Sequence, residues 1–317
     1  MKILFSADYH IKLKTKNIPE EWARNRFHAL FEKLSDLEHE VDMHIMGGDF
    51  FDKMPTLEEL ELYYDFVSGR MCKTIIIPGN HEALKKNTTF FSYLKNITAK
   101  LSHNTVQIID DFYSFENIDV IPYNRLKEYS PAHIDMHGDI LITHVRGEIP
   151  PHVKSEVDLS LFDRWKVVLA GDLHSYDNCQ RNILYPGSPI TTSFHRNSVD
   201  TGVIIIDTDT LEHRFVKLEL PQLIRKTIQA GDQMPATFPD HTIYEVEGDM
   251  SELAGLEDSD LMDKKVVRRS SDTALILDPE MSVEEEVAEY LAYILELPQE
   301  TIDKVMSEFH DNIKGIK

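Results

Sequence analysis

Five short apolar segments in the first 174 residues each run directly into Asp, Asn or His. Runs of four or five residues rich in Ile, Val, Leu and Met are typical of buried strands. The segments lie at residues 2–6, 43–46, 73–77, 139–143 and 166–170. Helical spacing of apolar residues predicts crossover helices at 20–39, 57–70 and 89–101. This alternation indicates an α/β sheet, whose strand ends lie where such folds bind ligands.

Strand patterns continue through the middle of the chain. They occur at residues 105–109, 117–121, 202–207 and 212–220. The last two have the pattern of a hairpin, and together these strands predict a second sheet that packs face to face on the first. The fold class that we predict for residues 1–220 is therefore α/β, with a four-layer α/β/β/α two-sheet core.

The pattern changes after Pro221. Short strand-like pieces around an acidic connector predict a small α+β domain over residues 221–280. These pieces lie at residues 224–229, 242–246 and 274–277. Over residues 281–317 apolar residues recur at helical spacing, and Ser282 with Glu285 makes a capping-box pattern. Such amphipathic helices either pack within the domain or form an exposed element that docks on a partner.

The polar residues at the five strand ends are of the types that bind divalent metals. They are Asp8, His10, Asp49, Asn80, His81, His144, Asp172 and His174. Carboxylate oxygens together with imidazole nitrogens suit Mn, Fe or Zn. A single Asp or His at a strand end is more often a turn cap or a rim residue, but five such ends are hard to assign to packing. We therefore predict that these side chains meet in a two-metal site.

Asp49 is the residue on which the predicted site is centred. It follows Gly47 and Gly48, which let the backbone pass close to another group. Asp52, three residues further on, is predicted to support a ligand rather than to bind metal itself. Asn80 offers a neutral oxygen ligand within a Pro-Gly-Asn-His-Glu motif, for which an ordinary Pro-Gly turn is the alternative.

Two pairs of candidate ligands are spaced two residues apart, Asp8 with His10 and Asp172 with His174. In an extended segment, both members of such a pair point to the same side. His81 follows Asn80 directly and could reach a leaving group without binding metal, as an acid or a charge stabiliser.

The bulk composition limits the classes of function. The chain has 317 residues, 42% of them hydrophobic, and its two cysteines are too few for a disulfide framework. No leader pattern or membrane-length apolar run is present in the sequence, so we expect a cytoplasmic protein.

The formal charge of −22 argues against a binder of polyanions that relies on a basic stripe. Residues 240–317 hold 21 Asp and Glu against 7 Lys and Arg. Bound cations or a partner protein would therefore have to provide much of the affinity for a polyanion.

The order of the motifs resembles the signature of the calcineurin-like metallophosphoesterases over about residues 1–215. The matching motifs are Asp8-x-His10, Gly48-Asp49, Gly79-Asn80-His81-Glu82, His144 and Gly171-x-x-His174. The stretch Tyr-Pro-Gly-Ser-Pro at 185–189, followed by Ser193 and Phe194, is similar to the SbcD branch of nuclease subunits, including its compact phage versions.

The resemblance implies two divalent ions, with Mn favoured and Mg possible. One ion would be held by Asp8, His10, Asp49 and His174, and the other by Asp49, Asn80, His144 and Asp172. The family has His where this chain has Asp172, so the second ligand set is altered but still able to bind Mn. His81 would be the catalytic histidine. Asp52, Ser188 and His195 would support ligands or contact the substrate.

The resemblance also implies a Mn-dependent DNA exonuclease and single-strand endonuclease that acts in DNA recombination, repair and replication, in the cytoplasm of a bacterial or phage-infected cell. Such nucleases form homodimers beside an SbcC-like ABC-type coiled-coil ATPase. Residues 221–280 would then cap the DNA, and residues 281–317 would bind the ATPase. The rival hypotheses are a metallophosphatase or cyclic-nucleotide phosphodiesterase with a small substrate, and a scaffold without activity. The residues after 215 weigh against the first, and the nearly complete ligand set weighs against the second.

Overall fold

The computed structural model describes residues 1–85, 87–130, 136–248, 253–255, 259, 261–266, 281–295 and 297–313. The strands are β1 Lys2–Ser6, β2 Met43–Met46, β3 Lys73–Ile76, β4 Ala83–Lys85, β5 Thr88–Thr89, β6 Val106–Ile108, β7 Tyr113–Phe115, β8 Ile118–Ile121, β9 Ile140–His144, β10 Val167–Gly171, β11 Ile183–Leu184, β12 Gly202–Asp207, β13 His213–Lys217, β14 Leu223–Gln229, β15 His241–Gly248 and β16 Met262–Val266. The helices are α1 Glu20–Glu38, α2 Leu57–Ser68, α3 Phe90–Leu101 and α4 Tyr123–Leu126, followed by two terminal helices, Val283–Glu289 and Gln299–Ile313.

Two large sheets form the centre of the structure. One has six strands in the order β13-β12-β1-β2-β3-β6, and the other has five in the order β11-β10-β9-β8-β7. Strands β1, β2, β3 and β6 are parallel, as are β8 to β11, whereas β7, β12 and β13 pair antiparallel. The carboxyl ends of the parallel strands therefore share one edge in each sheet. Three of the predicted strand ends lie in the first sheet and two in the second.

The two sheets pack face to face across an aliphatic core, which confirms the predicted two-sheet architecture. Because side chains alternate along a strand, every second residue points into this core. Its fully buried members include Ile3, Phe5, Ile45, Val120, Ile140, Ile142, Leu169 and Ile204. Burial of each such side chain stabilises the fold by about 1.5–3 kcal/mol.

Helices α1, α2 and α3 cover the outer face of the six-stranded sheet with an aromatic layer. Phe50 and Phe51 directly follow Asp49, and both are buried in this layer. The Phe50 ring lies against Tyr63 and Phe66 of α2, with ring centroids 5.3 and 5.1 Å apart. The loop that carries Asp49 is therefore anchored in the core on one side while its carboxylate faces the sheet edge.

The outer face of the five-stranded sheet is covered by α4 and by the short 3₁₀ helix Leu159–Phe162. Their buried residues pack with Trp165, whose Nε1–H donates to Asp119 Oδ2 at 2.8 Å. This layer completes the four-layer arrangement that the sequence predicts.

The chain forms two compact units. The first comprises Met1–Val246 with Leu256–Lys264. Strand β14 lies in this unit, and Trp22 Nε1–H of α1 donates to the carbonyl oxygen of Pro239 at 3.0 Å. Residues 222–246 are thereby tied to the core of the same unit.

The second unit comprises Glu247–Gly255 with Lys265–Lys317. Its helix Val283–Glu289 begins with the predicted capping box of Ser282 and Glu285. The strand predicted at 274–277 lies outside the described residues. In the part of the chain that the structure describes, no helix has both the length and the apolar character needed to cross a membrane.

Candidate metal centre

The five strand ends meet at the shared edge of the two sheets, and Asp49 lies between their side chains. Its Oδ2 atom is 3.4 Å from His144 Nε2, 3.7 Å from His10 Nε2 and 3.9 Å from His81 Nε2. These imidazoles come from the ends of β9, β1 and β3, and the Asp49 side chain is only 2% exposed. A carboxylate shared by groups from both sheets is placed as a bridging ligand needs to be, and the bridging role stays a prediction.

Four predicted ligands have a left-handed backbone conformation. The angle φ is 59° at Asp8, 45° at His10, 55° at Asp49 and 104° at Asp172. Such conformations cost of order 1–3 kcal/mol each in residues other than glycine. The extended geometry predicted for Asp8-x-His10 and Asp172-x-His174 is therefore wrong. The side chains reach the site because the chain bends sharply after each strand.

Asp8, His10 and His174 form a group that could hold a metal ion, with one ligand atom of each lying within 4.8 Å of the others. The Nε2 atoms of His10 and His174 face each other at 2.9 Å. Among the described residues, the buried His10 Nδ1 atom has no hydrogen-bond partner. Two imidazole nitrogens directed at one point beside a buried carboxylate are a donor set that a divalent cation satisfies. These residues therefore fit a metal ion.

Asp8, Asp49 and His144 form a second such group. His144 Nδ1 lies 2.9 Å from the carbonyl oxygen of Gly47, which can only accept, so Nδ1 carries a hydrogen. His144 Nε2 lies 2.9 Å from Asn80 Oδ1. The ring is thus oriented by the loop after β2, with Nε2 directed into the site in the way that bound histidines are usually held.

Glycine is needed at two positions where the loops pack against these ligands. A Cβ atom on Gly79 would overlap Asp49 Oδ1. Gly48 has a φ of 98°, and a Cβ atom there would lie 2.6 Å from His144 Nδ1. The Gly-Asp and Gly-Asn pairs of the sequence motif therefore have a steric cause.

The imidazoles of the two groups differ in their electrostatics. Burial lowers the pKa of His10 to about 4, and the Asp49 carboxylate offsets this only in part. Burial also disfavours the charged form of His144, but the carboxylates of Asp49 and Asp8 outweigh it and raise its pKa to about 10. Burial raises the pKa of Asp8 well above its ordinary value, whereas His144 outweighs burial and lowers the pKa of Asp49. So many carboxylates in a buried site favour bound cations.

Asp172 lies between the second group and Arg146. Its N–H donates to both carboxylate oxygens of Asp8 at 3.1 Å. Arg146 Nε and Nη2 donate to the Asp172 carboxylate at 3.1 and 3.3 Å, and Asp172 Oδ1 lies 3.9 Å from His144 Nε2. Among the described residues, the three groups that could hold an ion do not include Asp172. Its role as a ligand stays a prediction, and the guanidinium partner is a feature that the sequence analysis missed.

His81 reaches the site from the end of β3. Its N–H donates to Asp49 Oδ1 at 2.9 Å, and its Nδ1–H is placed to donate to the carbonyl oxygen of Asp52. Nε2 is then left facing the site. The side chain is 34% exposed, so a substrate can reach it. His81 also forms a group with His10 and Asp49 that could hold an ion, so its catalytic role stays a prediction.

Glu82 joins the loops after β2 and β3, a role that the sequence analysis did not assign. Its Oε2 atom accepts from the N–H groups of Asp49 and Gly79 at 3.0 and 2.9 Å, and Oε1 accepts from Phe51 N–H at 3.0 Å. The side chain is buried, and this burial raises its pKa to about 7. Glu82 is adjacent to His81 in the motif, but its partners Asp49 and Phe51 lie more than 30 residues away, so only the fold reveals the contact.

Asp52 and Ser188 lie next to predicted ligands. The Asp52 carboxylate pairs with Lys12 Nζ at 2.9 Å and lies 3.9 Å from His10 Nδ1. The Ser188 hydroxyl lies 2.7 Å from the carbonyl oxygen of Asp8, to which it can donate. The role of Asp52 and Ser188 in supporting ligands stays a prediction.

His195 lies beside the site, and its hydrogen-bond contacts are with residues that are not predicted ligands. Its Nε2 atom is 3.4 Å from Ser193 Oγ, and its N–H donates to the carbonyl oxygen of Leu223 at 3.0 Å. With His174 and Thr192 it lines a cleft of about 530 Å³. A role in contacting substrate stays a prediction for this residue.

The fold and the motifs agree with one protein family. The model of the calcineurin-like phosphoesterase family matches residues 1–176, more than half of the chain. The chain belongs to the calcineurin-like phosphoesterase family. This membership confirms the predicted enzyme class, a metal-dependent phosphoesterase, and the predicted use of divalent metals.

The chain is also similar to individual proteins. It is 40% identical to the "Probable exonuclease subunit 1" of Escherichia phage T5 over 326 aligned positions, which cover 99% of each chain. It is 25% identical to protein 244L of Invertebrate iridescent virus 6, named as a phosphoesterase, over 65% of this chain and 75% of that one. Among solved structures, TT1561 of Thermus thermophilus aligns with 68% of this chain and 98% of its own, at 11% identity and a TM-score of 0.42.

Proposed function

We propose that the chain is a Mn-dependent DNA exonuclease with single-strand endonuclease activity, the nuclease subunit of an SbcCD-like complex in DNA recombination, repair and replication. The observation that carries this proposal is the 40% identity, over nearly the full length of both chains, to a protein named as an exonuclease subunit. The site supports it, because every predicted ligand position except 172 holds the residue that the family motif requires.

Two sets of residues would hold the metals. The first set is Asp8, His10, Asp49 and His174, and the second is Asp49, Asn80, His144 and Asp172. Ions held by these residues would supply polarisation of the phosphodiester, a more acidic attacking water and stabilisation of the leaving oxygen. The Asp172 carboxylate makes the second set harder than an imidazole would, which favours Mn or Mg over Zn.

Other groups of the protein would orient these ligands and donate a proton to the leaving oxygen. Glu82 holds the Asp49 loop through three backbone N–H groups, and the Gly47 carbonyl fixes the His144 ring. His81 Nδ1–H is anchored on the Asp52 carbonyl, so Nε2 is the atom that can donate a proton to the leaving oxygen. Its exposure permits contact with a strand laid across the site.

The partners in this proposal are DNA, a second copy of the chain and an SbcC-like ABC-type coiled-coil ATPase. The subunit name of the phage T5 relative is consistent with a partner. Residues 221–280 would cap the DNA and residues 281–317 would bind the ATPase. The acidic character of the tail suits a basic protein partner better than DNA.

A chain truncated after Pro279 should still cut single strands but fail to co-purify with the ATPase. An intact complex would place that interface elsewhere.

The test of the function is a comparison of three substrates. The purified chain is incubated with Mn and linear duplex DNA, single-stranded DNA or an aryl phosphate ester, and each reaction is repeated with chelator. We expect metal-dependent release of nucleotides from DNA ends and slower hydrolysis of the ester. Efficient ester hydrolysis without any cutting of DNA would instead indicate a phosphodiesterase or phosphatase with a small substrate.

A further inference from the structure

Arg26 is a buried cation without an acidic partner among the described residues. The residue is 6% exposed and lies in α1. Its Nη1 donates to the carbonyl oxygen and hydroxyl of Thr191 at 2.9 and 3.2 Å, whereas its Nε is buried without a hydrogen-bond partner. Trp22 contributes a cation–π contact at 4.9 Å, which compensates the charge only in part. A buried and unpaired charge destabilises the fold unless an anion meets it.

A small pocket connects Arg26 to the metal centre. It has a volume of about 70 Å³, and its lining includes His10, Lys12, Arg26, Asp52, Thr191 and Thr192. Because the Asp52 carboxylate pairs with Lys12 Nζ, the Arg26 guanidinium is the cation of this pocket that has no acidic partner among the described residues, and the space touches His10, a predicted metal ligand. Burial lowers the pKa of the Arg26 guanidinium to about 10, so the group stays charged at neutral pH. The pocket has the charge and the hydrogen-bond donors that a phosphate group needs.

Lysines extend the positive charge from this pocket to the surface. After His10 the chain runs beside the loop of Asp49, with Ile11 N–H donating to the carbonyl oxygen of Phe50 at 2.8 Å. Ile11 and Leu13 are buried in the helix-side core, and Lys12 and Lys14 alternate with them on the outer side.

Lys16 follows in the turn between Thr15 and Ile18. Lys14 and Lys16 are exposed and form no ion pair with the described residues, whereas Lys12 is paired with Asp52. In a chain of net charge −22, residues 11–18 carry three lysines and no acidic residue.

We propose that Arg26, Lys12, Lys14 and Lys16 form a phosphate-binding track that takes the backbone of the substrate strand on the His10 side of the metal centre. Arg26 and Lys12 receive one phosphate in the pocket, and Lys14 and Lys16 meet the phosphates beyond it. The inference rests on the proposed function and adds the surface through which a nucleic-acid strand is held. It also explains how a strongly acidic protein binds a polyanion near its site.

Two variants test the track with the full-length protein. Lys14→Ala/Lys16→Ala removes two exposed charges without breaking an ion pair, and Arg26→Gln removes the buried charge while keeping a donor for Thr191. The matched control is Lys33→Ala/Lys154→Ala, which removes two other exposed lysines. Lys33 lies about 10 Å along α1 from Arg26, at 1.5 Å per residue.

Binding is measured by fluorescence anisotropy with a phosphorothioate single strand over a range of salt concentrations. Each phosphate contact contributes about 0.7 to the slope of log K against log salt for single strands. We therefore expect the double lysine variant to lower the slope by about 1.4 and the affinity by roughly tenfold, and Arg26→Gln to lower the slope by about 0.7. The control should match the wild type.

Steady-state rates separate strand binding from a structural effect. On DNA, both variants should raise KM with kcat nearly unchanged, and on a small aryl phosphodiester, which reaches only the metals, they should keep the wild-type rate. An unchanged salt slope and KM, or an equal loss on both substrates, would overturn the track while leaving the nuclease function standing. A wild-type chain that hydrolyses the aryl ester but neither binds nor cuts DNA would overturn both.

Discussion

The two sides of the metal centre hold the same types of residue under opposite electrostatic conditions. On one side, His10 is neutral at pH 7 because burial lowers its pKa to about 4. On the other, carboxylates raise the pKa of His144 to about 10 in spite of burial. Near His10, Lys12 is paired with Asp52 and the buried Arg26 has no acidic partner among the described residues, whereas Arg146 on the other side is paired with Asp172. An imidazole in a sequence motif thus acquires its charge from the fold, because burial and the neighbouring carboxylates and imidazoles decide it.

Removing the residue shared by both sides should have the largest effect. Asp49→Asn keeps the size of the side chain but removes the charge that faces three imidazoles. We expect loss of detectable cutting and weaker binding of both metals in isothermal titration calorimetry. Asp65→Asn, an exposed change in α2, is the control. One metal still bound with wild-type affinity would mean that another residue bridges the two sides.

His81→Ala should have the next largest effect, and it should act on both sides equally. Its Nε2 lies 3.9 Å from Asp49 Oδ2, but neither of the two proposed ligand sets includes His81. We expect turnover to fall on the order of a hundredfold or more, with both metals retained, as for the loss of a general acid. Calorimetry on this variant decides the assignment: a missing metal would make His81 a ligand.

The protonation of the two sides can be measured directly by NMR of the imidazole nitrogens in chelator-treated protein. Between pH 6 and 8, His144 should be doubly protonated, because its folded pKa lies above this range, and His10 should be neutral, because its pKa lies below it. Since a histidine ligand must be neutral, metal binding should release the proton of His144 and weaken by at most about tenfold per unit of falling pH. If His10 and His144 had the same protonation state in this pH range, the electrostatic difference between the two sides would not exist.

The smallest expected effect concerns metal preference on the His144 side. Asp172→His restores the family residue, removes a hard carboxylate and leaves Arg146 without its partner. We expect the activity profile to shift from Mn and Mg towards Zn, with overall activity changed less than in the variants above. Arg146→Gln, which keeps Asp172, separates loss of the ion pair from loss of the ligand. Identical metal titrations of wild type and Asp172→His on one oligonucleotide would show that residue 172 does not bind metal.

The strands, the crossover helices and the candidate ligands could all be predicted from the amino-acid sequence. These depend on short-range patterns: an apolar run of four residues such as 43–46 is apparent without the fold, and so is the Gly-Asp pair that ends it. The two-sheet core was also predictable, because both faces of each parallel strand must be buried.

The orientation and the charge of those residues depend on the folded chain. Several features depend on groups that are distant in sequence. They are the backbone bends at Asp8 and Asp172, the hydrogen bonds between Glu82 and the Asp49 loop, the ion pair of Arg146 with Asp172 and the burial of Arg26. Backbone angles at a strand end, burial and the field of neighbouring charges depend on three-dimensional packing, which a local pattern does not contain. For that reason the sequence located the site, whereas the electrostatic difference between its two sides emerged only from the fold.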